Sequence, residues 1–179
     1  QIELTFERAC IGGDALGCFH LGAINGYLTS KPDPIKAKDG YARACRIGFG
    51  LGCTNWAAVL VAENTTASGE LNPVTLETAS EILVYGCRLG ERTACLFGAC
   101  LASSRNWERA WDFLDEGCEA GYIDCCGDAG RLLTQRGDAK QRPLAKAYLD
   151  RACNGHDVSS CMQLAESTDG NPLSPTESI

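Results

Sequence analysis

The chain has 179 residues, 45% of them hydrophobic, with a formal net charge of −7. That length suits one domain or one short array, and the apolar content excludes an intrinsically disordered composition. The acidic balance argues against a nucleic-acid partner, which needs clustered Lys and Arg, and no apolar run approaches the roughly 18–20 residues of a membrane span.

Taken in chain order, the elements fall into five units set in register by cysteines. The units run over about 1–30, 31–66, 73–104, 105–137 and 142–166. They carry the pairs Cys10 and Cys18, Cys45 and Cys53, Cys87 and Cys95, Cys118 and Cys126, and Cys153 and Cys161. Each pair is separated by eight, and the first members recur at intervals of 35, 42, 31 and 35 residues. Such self-similarity is the mark of a repeat architecture.

The flanks agree with the cysteines. Eight residues before the first cysteine stands Ile2, Ala37, Ala79, Ala110 or Ala145, and four before it Phe6, Tyr41, Leu83, Leu114 or Leu149. A separation of four lines one helix face. Three residues after the first cysteine comes Gly13, Gly48, Gly90 or Gly121, a helix-stop signal. In the fifth unit that glycine shifts by one, to Gly155. Four residues after the second cysteine the small residues Gly22, Ala57, Ala99, Gly130 and Ala165 let two helices approach closely. Each unit therefore reads as helix A, a glycine turn and helix B.

Breaker-rich connectors separate the units: "TSKPDP", "TTASGELNP", "SSRN" and "RGDAKQRP". The longest, from Glu63 to Pro73, reads as the most mobile. Residues 167–179, "STDGNPLSPTESI", read as a flexible tail. The chain opens at Gln1 with no initiator Met or signal peptide, and so reads as a mature or trimmed product.

The segment "KAKDGYARACRIGFGLGCTNWA" resembles the Sel1-like repeat, a relative of the tetratricopeptide repeat, through its A-x-x-x-Y-x-x-A-x pattern. Cysteine at both marked places is similar to the Helicobacter cysteine-rich protein family, and to a disulfide-bearing Sel1 assembly factor of the mitochondrial intermembrane space. The resemblance covers residues 2 to about 166. It implies an all-α, right-handed α/α superhelix of five helix hairpins that acts as a protein-binding scaffold. The Helicobacter family also implies penicillin binding and weak β-lactamase activity. No S-x-x-K motif and no nucleophile-and-base pair is present to carry that activity over, so a hydrolase stands only as the alternative.

Three readings compete for the paired cysteines. A disulfide in each hairpin fits, because a short helical turn brings the two Cα atoms into the 4.4–6.8 Å range of a bridge. Zinc requires Cys-x2-Cys or histidines at knuckle spacing, which the eight-residue separation does not supply. A thioredoxin-like site requires Cys-x-x-Cys, which does not occur. Cys100 and Cys125 are left over, and a sixth bridge between repeats and two buried thiols both stay open. So many cysteines place the protein in an oxidising compartment, the periplasm or cell exterior, with the intermembrane space as the alternative.

Remaining candidates are few. Trp107 and Trp111, four apart on helix A of the fourth unit, share a face. Phe113 and Leu114 already fill the core places, so the two tryptophans are candidate partner-binding anchors; packing against the third repeat is the alternative. His20 reads as a surface or core residue and His156 as a cap replacement. The acidic residues Asp112, Asp115, Glu116 and Glu119 read as a solvated face. "NTT" at Asn64 fits an N-glycosylation pattern. The expected partner is another protein, with a basic one favoured by electrostatic steering. No metal or cofactor is expected, and the protein alone is expected to be monomeric.

Overall fold

Several helix starts in this chain are set by short polar side chains that accept a hydrogen bond from a first-turn N–H. Asp14, Asp33, Asn72 and Asn106 do so for the amides of Leu16, Lys36, Val74 and Arg109, at 3.1, 3.1, 2.9 and 2.9 Å. Pro34 and Pro73 open their helices, where a missing N–H costs nothing. A computed structural model describes residues 2–28, 31–67, 70–103 and 105–168.

Among the described residues there are ten helices: α1 (Ile2–Ile11), α2 (Ala15–Gly26), α3 (Pro34–Arg46), α4 (Gly50–Asn64), α5 (Pro73–Arg88), α6 (Arg92–Ser103), α7 (Trp107–Glu119), α8 (Ile123–Arg136), α9 (Arg142–Asn154) and α10 (Val158–Thr168). They form five hairpins, α1/α2 to α9/α10, each closed by its own disulfide between cysteines eight apart. The Cα–Cα distances run from 4.4 to 4.8 Å. The chain divides into two compact units, Gln1–Leu101 and Ala102–Ile179. The segment 169–179, most of the expected tail, lies outside the described residues.

The hairpin turn is one motif used five times. The residue three after the first cysteine donates its N–H to that cysteine's carbonyl, at 2.9–3.1 Å. The next residue donates to the carbonyl of the residue just before the cysteine, at 3.0–3.1 Å. These paired bonds make a Schellman motif, whose penultimate residue takes the left-handed conformation. Gly13, Gly48, Gly90 and Gly121 do so with φ between 80° and 98°. In the fifth hairpin the left-handed place does not follow the shifted glycine: Gly155 has φ −85°, and His156 itself holds the left-handed place, with φ 71°. The register of the motif is fixed by the disulfide, so the side chain is strained rather than the turn relocated.

Close approach beside each bridge is made possible by small residues just before the two cysteines. A Cβ on Gly17 would lie 2.7 Å from the Cβ of Ala9, one on Gly52 2.7 Å from that of Ala44, and one on Gly86 2.9 Å from that of Ala94. In the fourth hairpin these register places hold Gly117 and Cys125, both buried, and in the fifth Ala152 and Ser160, both fully buried.

Between α2 and α3 and between α8 and α9, the small residue four after the second cysteine seats the large one four before the next first cysteine. Gly22 takes the ring of Tyr41, and Gly130 takes Leu149; a Cβ at either glycine would stand 2.7 Å from its partner. Ala37, Ala79, Ala110 and Ala145, a turn earlier, are at most 1% exposed. The rows thus bury the faces that their spacing predicts. The long connector after α4 is drawn together by an antiparallel bridge between Thr65 and Leu71, with the Thr66 N–H donating to the Glu70 carbonyl at 2.8 Å.

Candidate partner-binding surface

On α7 the residues Trp111, Asp115 and Glu119 are spaced by four and so form one stripe along the helix. This stripe meets α9. The Trp111 ring lies edge-on to Tyr148, with ring centroids 6.2 Å apart. The Tyr148 hydroxyl donates to Asp115 Oδ1, and Arg151 pairs with Glu119 at 2.9 Å. Burial, followed by the hydrogen bond to Asp115, pushes the Tyr148 phenol above its ordinary range, so it remains a donor at neutral pH. Of the four carboxylates expected on a solvated face, Asp115 is half-buried between repeats, while Glu119 stays exposed and reaches Arg151 from the surface. Trp111 is half-buried against repeat five, rather than standing out as an exposed anchor, and its indole N–H is buried without a hydrogen-bond partner among the described residues. Trp107, one turn earlier, is also half-buried. Phe113 and Leu114 fill the core as expected, 2% and 5% exposed, and Arg109 lies over the Phe113 ring.

The first two hairpins are joined by aromatic packing. Phe19 contacts His20, Tyr41 and Phe49, and His20 lies 4.9 Å from Phe6, centroid to centroid. His20 is thus a packed, half-buried ring. Arg46 covers Trp56 at 5.4 Å. Beside this cluster, α1 and α3 leave a groove of about 240 Å³. Its walls include Glu3, Glu7 and Ile11 from α1, Lys36, Asp39 and Arg43 from α3, and Leu21 from α2, with Cys10 behind them. Lys36 pairs with Glu3 at 3.5 Å and Arg43 with Asp39 at 2.9 Å. A second, shallower depression of about 210 Å³ lies on α8 and α10, lined by Arg131, Gln135, Met162 and Glu166 among others.

The other candidates from the sequence are accounted for locally. The ten repeat cysteines are bonded to one another in five pairs, which leaves none of them as a free thiolate to ligate zinc. Cys100 and Cys125 stand outside the five bridges; the buried reading holds for Cys125 and not for Cys100, which is exposed. Asn64 is exposed at the end of α4 and donates its side-chain amide to the Leu60 carbonyl at 2.8 Å. His156 is the cap replacement described above. A hydroxyl, a carboxylate and a guanidinium do meet at Ser160, Asp157 and Arg131. Ser160 is fully buried there, and Asp157 also accepts its backbone N–H at 3.2 Å, which makes the group a helix cap. No described helix is long and apolar enough to cross a membrane.

The hairpin geometry matches a known architecture. Among solved structures similar to this one is the crystal structure of c5321, a protective antigen present in uropathogenic Escherichia coli strains and displaying an SLR (Sel1-like repeat) fold. The TM-score is 0.64 at 14% sequence identity, and the match covers 98% of this chain and 38% of that one. The chain thus has a Sel1-like repeat fold and spans well under half the length of that relative. No protein-family model matches the sequence, and no curated protein sequence does either.

Proposed function

We propose that this chain is a protein-interaction module of an oxidising compartment, with its binding surface centred on the first two repeats. The observation that carries this reading is where the large apolar side chains are left in water. Of the fourteen exposed large apolar side chains among the described residues, seven (Ile2, Leu4, Ile11, Leu16, Tyr27, Leu28 and Ile35, 48–73% exposed) fall between residues 2 and 35, and the other seven are spread from Ile47 to Met162. Concentrated exposed apolar surface marks interaction sites. Stacked helical repeats present extended surfaces suited to that use.

Energetics point the same way. Each hairpin is held by its own disulfide and by alanine, glycine and cysteine packing, so outward-facing positions are free to vary without loss of the fold. The net charge of −7 favours a basic partner by long-range steering. Five bridged cysteine pairs support the periplasm or cell exterior, with the mitochondrial intermembrane space as the other oxidising address. The resemblance to the Helicobacter cysteine-rich proteins and to a Sel1 assembly factor fits an assembly client or a secreted effector as partner.

The test is affinity capture from the native compartment with the wild-type chain, with Ile11→Asp and Ile35→Asp, and with Trp107→Ala and Trp111→Ala. A partner retained by the wild type and lost with the two aspartate variants supports the reading. Capture unaffected by the aspartates but lost with the tryptophan variants would move the surface to the fourth repeat. Absence of any specific partner would overturn the proposal.

A further inference from the structure

The groove between α1 and α3 and the filled seam between α7 and α9 occupy the same places in the repeat. Counting from each first cysteine, Glu3 corresponds to Trp111, Glu7 to Asp115 and Ile11 to Glu119. On the facing helix, Arg43 corresponds to Arg151, and Gly40 corresponds to Tyr148. In the later seam the Tyr148 ring fills the space and its hydroxyl donates to Asp115. In the earlier one the ring is missing and the carboxylate remains.

The missing ring has a physical cause. A Cβ on Gly40 would stand 2.6 Å from the backbone nitrogen of Gly22 and 2.9 Å from the Cys18 carbonyl oxygen. The contact of α2 with α3 therefore requires glycine, so the register place that Tyr148 holds in the later seam carries no side chain in the earlier one. The remaining volume, about 240 Å³, is below the 300–1,000 Å³ of small-molecule sites and suits one side chain.

We propose that this groove is a binding site for a tyrosine side chain of the partner protein, with its phenol donating to the Glu7 carboxylate as Tyr148 donates to Asp115. The inference rests on the protein-interaction reading and names one feature of the partner. Charge within the groove selects the donor. Glu3 and Asp39 are matched by Lys36 and Arg43, while Glu7 has no ion-pair partner among the described residues. Glu7 calls for a donor, and the apolar walls Ile11 and Leu21 call for a ring beside it. A phenol meets both conditions.

The experiment is a nuclear magnetic resonance titration of the intact, oxidised chain with N-acetyl-L-tyrosinamide, with the phenylalanine and lysine amides as comparisons. Tyrosinamide is expected to shift the amides of Glu7, Ile11 and Arg43 saturably. It should bind about three- to tenfold more tightly than the phenylalanine amide, the difference one hydrogen bond makes. Glu7→Ala, at an exposed position, should remove that difference while leaving the α7–α10 resonances in place. No saturable shift in the groove, equal binding of the tyrosine and phenylalanine amides, or tighter binding of the lysine amide would each overturn the site. If the titration fails while Ile11→Asp still abolishes partner capture, the groove site falls and the interaction reading stands.

Discussion

Gly22 on α2 lies directly against the ring of Tyr41 on α3: a Cβ on the glycine would stand 2.7 Å from Cδ1 and 2.9 Å from Cε1. Tyr41 is 2% exposed and has no room to retreat. Gly22→Ala should therefore lower stability by about 1–3 kcal/mol, the usual cost of overpacking a filled core. Urea unfolding of the oxidised protein would show this as a lower midpoint. A change below about 0.5 kcal/mol would mean that the two helices are less closely packed than described.

The fifth turn carries strain that the other four avoid. His156 holds a left-handed conformation that costs a residue with a Cβ about 1–2 kcal/mol. His156→Gly should stabilise the protein by about 1 kcal/mol and raise its melting temperature. Gly121→Ala should do the reverse by a similar amount: a Cβ there meets nothing within 4 Å, so the penalty is backbone strain alone. If both substitutions moved stability in the same direction, the shared turn motif would be disproved.

Tyr148 and Asp115 join the fourth and fifth repeats. Tyr148→Phe should cost about 1 kcal/mol or somewhat more, since the half-buried Asp115 carboxylate loses its hydroxyl donor. Asp115→Asn should cost less, because its amide oxygen can still accept. A double-mutant cycle on the two positions should give a coupling energy of at least about 0.5 kcal/mol. Strict additivity would show that the two side chains do not interact in solution.

Asp157 accepts from Ser160 and pairs with Arg131, and these contacts hold its carboxyl below the ordinary range. An unfolded aspartate titrates near pH 3.9. Below that pH the unfolded chain takes up the proton first, so this contribution is complete above about pH 4 and is lost as the pH falls further. Asp157→Asn should therefore be less stable than the wild type at pH 6, with the gap closing as the pH falls below about 4. A constant gap there would remove the carboxylate from the acid limb.

The hairpins, the cysteine pairing and the buried faces were legible because each rests on spacing within one or two helices. Tyr41, Leu83, Leu114 and Leu149 fall at one register place, and small residues fall at another. What was not legible depends on which side chains meet across helices. Trp111 and Tyr148 are 37 residues apart, and helical periodicity gives the face of each without giving its partner. The same holds for Asp115 and Glu119, whose acidic spacing suits a solvated face as well as an interhelical seam. Gly155 drew attention by its chemistry, whereas the turn is governed by its distance from Cys153. That Gly40 is held to glycine emerges only with the approach of Gly22.

Mass mapping of a non-reduced digest tests the central claim most directly, because the whole arrangement depends on each hairpin being closed by itself. The account predicts five linked pairs, Cys10–Cys18, Cys45–Cys53, Cys87–Cys95, Cys118–Cys126 and Cys153–Cys161. Repeat cysteines linked between different hairpins, or recovered as thiols from the natively purified protein, would contradict it.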